Sequence, residues 1–488
     1  MSPRHLKSFA PMIVVRCMAH FGLAAASLGD DLFAATPPAE PDTGFRAELT
    51  EGLNVSSIRS FALDGDGKVL IAGSLKGGAD LPNQGIARLL VDGRFDPLFR
   101  PAADSAWVAA VAALRDGRIL MVGSFRISDG VTVRTNFARL HANGSLDASF
   151  DAELWAAGAA TSSAHLLELS DGKVLFAGSS VGGSRLRSAI VRLHEDGRLD
   201  DDYAKTPLEG TVRELAKGVD DEVYVMGTFF KPSFPARPTV LLRLRGDGSV
   251  DPSFPQPDFW VGNTALASTS DGGVILSSIT ATGPTGEVEM ELIRLRRDGT
   301  RDLEYRPTVS GKAVEILPDG GVVNPPAVEC MARQPDDRLV IAGKFDRVNG
   351  VRRINLARLE PDGSLDTTFD PGGGPVSTFD TVSYMATSAL IARDGRIYLA
   401  GRFNTYDERP MAGLIRLHGD PLPRLESSRA RDGQFVAVWI GNPGEVVEFL
   451  ASPDLVAWTP RTTATNETGI VTVTLPSTGV GFVRGRTR

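Results

Sequence analysis

The chain is poor in the residues that carry most protein chemistry. It has 2 cysteines and 6 histidines among 488 residues. Cys17 would leave with a leader and strand Cys330 alone, so disulfides are excluded as the staple of the fold. No stretch reaches the roughly 18 consecutive apolar residues of a membrane span, and Ala/Leu/Glu/Lys-rich helical tracts are lacking. Basic surplus is also missing. The 52 Lys and Arg face 60 Asp and Glu, a net charge of -8, which gives no electrostatic ground for a nucleic-acid partner. No HExxH, GxSxG or P-loop occurs. His5 and His20 lie in the leader, while His141, His194 and His418 share one register after an Arg-Leu pair, which marks them as parts of a repeat. No catalytic set, cofactor or metal is expected.

What is present is a repeat. An acidic turn, an apolar run and a small residue recur at Asp66–Gly73, Asp116–Gly123, Asp171–Gly178, Asp220–Gly227, Asp271–Ser278, Asp336–Gly343 and Asp394–Gly401. A second motif opens with Arg-Leu at Arg88, Arg139, Arg192, Arg243, Arg294, Arg358 and Arg416. Six copies run on to an Asp and an aromatic, ending at Phe99, Phe150, Tyr203, Phe254, Tyr305 and Phe369. The seventh ending is displaced to the other end of the chain, where Asp42 and Phe45 keep the same three-residue spacing. An open solenoid has no use for such a fragment, whereas a propeller closes by letting an N-terminal segment complete its last blade.

The runs KVLIAG, RILMVG and KVLFAG are too short for helices and rich in strand formers. Asp-Gly and Asn-Gly pairs supply the tight turns. A blade is therefore expected to hold an inner strand such as Ile58 to Leu63, a buried second strand, a third ending in Arg-Leu, and a short outer strand ending in the aromatic. With 52 Gly and 31 Pro the composition suits many turns around apolar strands.

Three regions fall outside the pattern. Arg4, His5 and Lys7 precede Phe9 to Val15, and a second apolar stretch runs from Phe21 to Leu28. This arrangement reads as a signal peptide and leader over 1–35, interrupted by Arg16, which a start at Met12 or Met18 would repair. The motif spacing lengthens to 65 positions between Asp271 and Asp336, with an insertion about 310–333 that contains Cys330. After Asp420 the repeat stops, and QFVAVWI, EVVEFLAS, GIVTVTL and GFVRGR read as strands of a small separate β domain over 421–488.

The repeated polar residues admit two readings. The carboxylate pairs Asp92/Asp96, Asp196/Asp200, Asp247/Asp251, Asp298/Asp302 and Asp362/Asp366 could ligate Ca²⁺, yet Asn143 replaces the first Asp in the second repeat and no terminal Glu completes a loop. Turn capping is the expected role. The seven arginines could line a channel and bind an anion, but a tie to a turn carboxylate of the same or the adjacent blade is what should recur in every copy. Trp107, Trp155 and Trp260 lie between blades and are the candidate ligand-binding residues, able to stack on sugar rings or to pack one blade on the next.

Forms such as DGRILMVGSF and NLARLEPDGSLDTTFD resemble the delta-60 repeat of predicted secreted bacterial propeller proteins, over about Asp42 to Asp420. The stretch VEFLASPDLVAWTP, with Leu455 and Trp458, followed by FVRGR, is similar to a short β module at the ends of exported proteins of Verrucomicrobia-like bacteria. The resemblance implies shape and export; it brings no catalytic residues.

The expected fold is all-β, a seven-bladed β-propeller over 36–420 closed by an N-terminal strand, plus the C-terminal β domain. The expected function is a non-catalytic binding or scaffold protein, secreted or at the cell surface, with a protein or carbohydrate ligand at one propeller face, the monomer being the default in the absence of any sign of oligomerisation. The alternative is a secreted polysaccharide hydrolase or lyase whose site is borne on non-repeated loops.

Overall fold

The computed structural model describes residues 13–16, 38–47, 58–73, 75, 85–152, 164–181, 188–203, 208–229, 240–255, 265–282, 287–312, 315–316, 322–323, 326–377, 388–392, 394–411, 413–420, 424–429, 434–440, 446–452, 458–465, 470–476 and 482–487. Among them every regular element is a strand, and no helix is long and apolar enough to cross a membrane. The chain divides into two units, one of Ala39–Ala392 with Ile397–Leu417, the other of Met1–Pro38, Arg393–Arg396 and His418–Arg488.

In the larger unit each repeat folds as three antiparallel strands. The first is Ile58–Leu63, Val69–Gly73 and Ile86–Leu89, the second Ala103–Ala113, Ile119–Ser128 and Val133–Leu140, the third Ala164–Glu168, Val174–Val181 and Ser188–Leu193. The fourth is Gly210–Lys217, Val223–Phe229 and Val240–Leu244, and the fifth Leu266–Ser268, Val274–Thr282 and Glu287–Leu295. The sixth is Ala327–Arg333, Leu339–Lys344 and Leu356–Leu359, and the seventh Ser388–Ile391, Ile397–Ala400 and Leu414–Leu417. The apolar motif supplies the middle strand, which must be apolar on both faces because a neighbouring sheet covers each of them; all of Val69–Gly73 is buried.

The small residue ending the first motif has a steric cause. A Cβ on Gly123 would lie 2.1 Å from the carbonyl oxygen of Trp107, and one on Gly343 would lie 2.1 Å from that of Ala327. At both places the inner strand carries a β-bulge that brings its backbone onto the glycine.

Apolar cores lie between consecutive sheets. Leu70, Ala72 and Ile86 of the first repeat pack with Val108, Met121 and Ala138 of the second, and the same holds for each later pair through Val340 and Leu356 of the sixth with Ile397 and Leu399 of the seventh. One more cluster joins Tyr398, Ala400 and Leu414 of the seventh to Phe45, Phe61 and Ile71. The inner strands neighbour one another in order, and Ser388–Ile391 neighbours Ile58–Leu63.

One expectation needs correction. The outer fourth strand is a single bridged pair in each of the first six repeats, Leu89 with Phe95 through Leu359 with Leu365. The chain turns away at once, because the Asp one residue beyond the bridge opens a second turn in which Phe99 N–H donates to Asp96 C=O at 3.2 Å. The stretch about 310–333, expected as an insertion, contains several strands among its described residues. Thr308–Lys312 pairs with both Glu287–Leu295 and Arg347–Val348, Glu315–Ile316 pairs with Val322–Val323, and Ala327–Arg333 is the inner strand of the sixth repeat. Cys330 therefore sits in a repeat strand, where it is buried.

The smaller unit contains two sheets. One is Arg424–Arg429, Gln434–Ile440 and Ile470–Pro476; the other is Val446–Ser452, Thr459–Thr465, Phe482–Thr487 and Ile13–Arg16. Trp439, Phe449 and Val483 lie in their shared core. Of the 1–35 stretch read as a leader, only 13–16 are described, and they pair antiparallel with Phe482–Gly485.

Candidate functional site

The seven arginines are the most regular chemical feature, and each has the same two partners, a carboxylate and an aromatic ring. The Asp eight residues after each Arg donates its N–H to the Arg carbonyl, at 2.8–3.0 Å in all six intact repeats. This folds the turn back so that the Asp carboxylate meets the Arg Nε, at 2.7–2.9 Å for Arg88–Asp96, Arg139–Asp147, Arg192–Asp200, Arg243–Asp251, Arg294–Asp302 and Arg358–Asp366. For Arg416 the partner is Asp42, at 2.8 Å.

The motif-ending aromatic covers each guanidinium. The central carbon lies 4.5–5.0 Å from the ring centroid in the pairs Arg88–Phe99, Arg139–Phe150, Arg192–Tyr203, Arg243–Phe254, Arg294–Tyr305, Arg358–Phe369 and Arg416–Phe45. A planar cation stacks well on a π face when water is excluded. In six of the seven a further Arg nitrogen reaches the next repeat, while Arg358 Nη1 donates to Gln334 Oε1 at 3.3 Å in its own. Arg88 donates to Ala142 C=O, Arg139 to Glu195 C=O, Arg192 to Gly246 C=O, Arg243 to Arg297 C=O and Arg294 to Pro361 C=O, in each case the third residue after the next Arg. Arg416 makes the corresponding bond to Val91 C=O at 2.5 Å, in the first repeat.

The carboxylate pairs divide their work. The first of each pair accepts from a main-chain N–H two residues on, as Asp247 does from Ser249 at 2.9 Å, and Asn143 does the same for Ser145 at 3.0 Å. The second holds the arginine. The Arg294 guanidinium keeps the Asp302 carboxyl below the usual carboxylate range. Further ties join neighbouring repeats at the first-motif turns. Asp221 and Asp337 adopt positive φ (57° and 66°) where other repeats have Gly, and their carboxylates accept the N–H groups of Ser170 and Ser270 at 3.0 and 3.1 Å.

A second set lies on the inner strands. Ser60, His165, Glu214 and Cys330 occupy one register, each paired with the residue before the motif-ending glycine. Ser60 Oγ accepts from Val111 N–H of the next repeat at 3.2 Å. Burial pulls His165 down to about 4, an effect partly offset by its hydrogen bond with the Arg213 main chain. Burial pushes Glu214 up to about 8 against a bond from the Leu215 main chain. Burial, followed by the charges of Glu329 and Glu214, raises the Cys330 thiol. These groups break the repeat, since the same register holds Ala110 in the second sheet. The sequence signal for Glu214 was an acid inside the strand TVRELAK, which the repeat scheme did not single out.

Trp107 lies within a strand, half-buried, with its backbone paired to Ser124. Trp155 and Trp260 lie outside the described residues. A cleft of about 200 Å³ between the second and third repeats is lined by Arg115, Arg118, Phe150, Glu168, His194 and Glu195. Its charges are mostly paired, Arg118 with Glu195 at 2.6 Å. Among the described residues no cluster of three or more His, Cys, Asp or Glu is placed to hold a metal ion.

Residues 65–99, 114–150, 169–202 and 334–369 match the family described as Domain of unknown function (DUF5122) beta-propeller. The protein is accordingly all-β and carries β-propeller repeats. No curated protein matches the chain. Among solved structures it is similar to PorZ, a bacterial surface component of the type-IX secretion system of Porphyromonas gingivalis, with 9% identity and a TM-score of 0.41 over 86% of this chain and 55% of that one. It thus spans little more than half the length of PorZ. It is also similar to the α-L-arabinofuranosidase ARB93A from Fusarium graminearum, with 12% identity and a TM-score of 0.32 over 66% of this chain and 98% of that one.

Proposed function

We propose that the chain is an exported, non-catalytic binding or scaffold protein whose residues 36–420 form a seven-bladed propeller closed by an N-terminal strand, followed by a β domain over 421–488. The observation that carries this reading is the uniform engagement of the seven arginines, each held by a carboxylate and an aromatic. A group repeated with the same partners in every blade serves the ring, so ligand selection falls to residues that differ between blades. Closure is supported by the Arg416 bond to Val91 and by the core shared between the seventh and first sheets. A leader over 1–35 places the protein outside the cytoplasm, where a polysaccharide or a protein is the ligand.

One observation favours the alternative of a polysaccharide hydrolase or lyase. Burial raises the Glu214 carboxyl to about 8, the direction a general acid needs. A polysaccharide array probed with the purified chain separates the two readings. Bound polysaccharides are then incubated with the protein and assayed for new reducing ends and unsaturated products. Binding without product is expected. Turnover that is lost in Glu214→Gln would overturn the non-catalytic reading.

A further inference from the structure

In six repeats the Asp-x-x-aromatic segment follows its arginine within one hairpin, and the chain itself delivers it. In the seventh, Asp42 and Arg416 are 374 positions apart. The segment Ala39–Ala47 is therefore held where a ligand would be held, by non-covalent contacts alone. Tyr406 Oη donates to Ala39 C=O at 2.7 Å. Pro41 bridges to Leu417, and Asp42 N–H donates to Arg416 C=O at 2.8 Å. The Phe45 ring packs edge-on to Tyr398, with centroids 5.5 Å apart, and covers Arg416. Arg46 N–H donates to Asp92 C=O at 2.9 Å in the first repeat. Apart from the local turn bonds inside the segment, every one of these partners belongs to the seventh or the first repeat.

We propose that the seventh repeat is a peptide-acceptor slot specific for an extended Asp-x-x-(Phe or Tyr) segment, and that a second copy of this chain supplies that segment by exchanging its own residues 39–47. The proposal rests on the closed-ring reading above. The recognition rule is stated six further times inside the molecule, where Asp and an aromatic three residues later take the same place on Arg. The tether from Ala47 to Ile58 is ten residues, 48–57. A short tether gives an effective concentration in the millimolar range, so a chain fills its own slot when dilute. Exchange follows once self-filling is prevented, because swapping an identical element creates no new interface.

The test is complementation between two full-length variants. Asp42→Ala/Phe45→Ala keeps the slot and disables the segment; Arg416→Ala keeps the segment and disables the slot. Each alone is expected to elute as a monomer with a lowered melting temperature, and their mixture to give a one-to-one complex by light scattering. A synthetic peptide of residues 39–47 should bind the first variant, with the Asp42→Ala peptide at least about tenfold weaker. A mixture that stays monomeric, or peptide binding indifferent to Asp42, overturns the exchange proposal. If the double variant melts like the parent, the closed-ring reading itself has failed. If it does not fold, the parent chain is given a protease site within 48–57, folded, nicked and offered labelled peptide. Incorporation of the label supports the slot and its absence refutes it.

Discussion

Arg358 Nε and Nη2 both lie 2.7 Å from Asp366 Oδ2, and the arginine side chain is wholly shielded from solvent. A charge so placed depends on its partner, because removing one member of a buried pair leaves the other unpaired in a medium that solvates it poorly.

Arg358→Ala should therefore lower stability by about 3–5 kcal/mol, the range for breaking a buried pair. The Arg294 side chain is 25% exposed, and Arg294→Ala should cost less, about 1.5–3 kcal/mol for a hydrogen bond to a charged group. Urea unfolding followed by tryptophan fluorescence ranks the two. The reverse order would show that the arginines are not the ties they resemble.

The carboxylate pairs should bind no Ca²⁺. Asp251 Oδ2 faces Arg243 and its Oδ1 accepts from Ser253 N–H at 3.0 Å, while Asp247 is engaged with Ser249. These oxygens already have donors, and a Ca²⁺ ion would have to displace an arginine to gain the ligands it needs. Melting curves in Ca²⁺ and in excess chelator should superimpose. A shift above about 10 °C on chelation would contradict this, because a bound ion stabilises by mass action.

Stability should fall as pH rises from about 6.5 to 8. Glu214 has its folded value near 8 against an ordinary 4.5. The folded state therefore holds a proton that the unfolded chain has already lost, and the stabilisation is full below 4.5 and gone above 8. His165 has the opposite sign, about 4 when folded against 6.5, so its contribution grows from pH 4 to 6.5 and offsets much of the Glu214 effect there. Only the Glu214 slope remains above that range. Glu214→Gln should flatten the melting temperature between pH 6.5 and 8; an unchanged slope would assign the effect to other groups.

Cys330 should react slowly with a thiol reagent in the folded protein and rapidly in denaturant, because burial disfavours its thiolate. Stoichiometric labelling of the native chain within the mixing time would refute this.

The arginine ties were legible because both motifs keep fixed internal spacing, which places Arg and Asp eight residues apart in six copies and leaves the seventh Asp at the N-terminus. The stacking of each arginine on its motif-ending aromatic was not read, since nothing in a period says which of two conserved-position residues covers the other; the signal was the constant interval from Arg88 to Phe99 and its equivalents. The pairing of Thr308–Lys312 with Arg347–Val348 was invisible for another reason. It is made by connecting segments whose lengths differ from repeat to repeat, so it leaves no period. Glu214 and His165 were overlooked because each occurs once, at a register that holds Ala110 in the second sheet and Cys330 in the sixth, so no period marks it.

The bond from six of the arginines to the third residue after the next arginine has an evolutionary consequence. Because the acceptor is a main-chain carbonyl, the contact makes no demand on the side chain that follows, and Val91, Ala142, Glu195, Gly246, Arg297 and Pro361 all serve. Duplicating or excising one whole unit of the gene would bring new neighbours together with this hydrogen bond already in place. The tie cannot count its units; the angle between successive sheets must set their number, and lineages that gain or lose a unit need to solve only that geometry again.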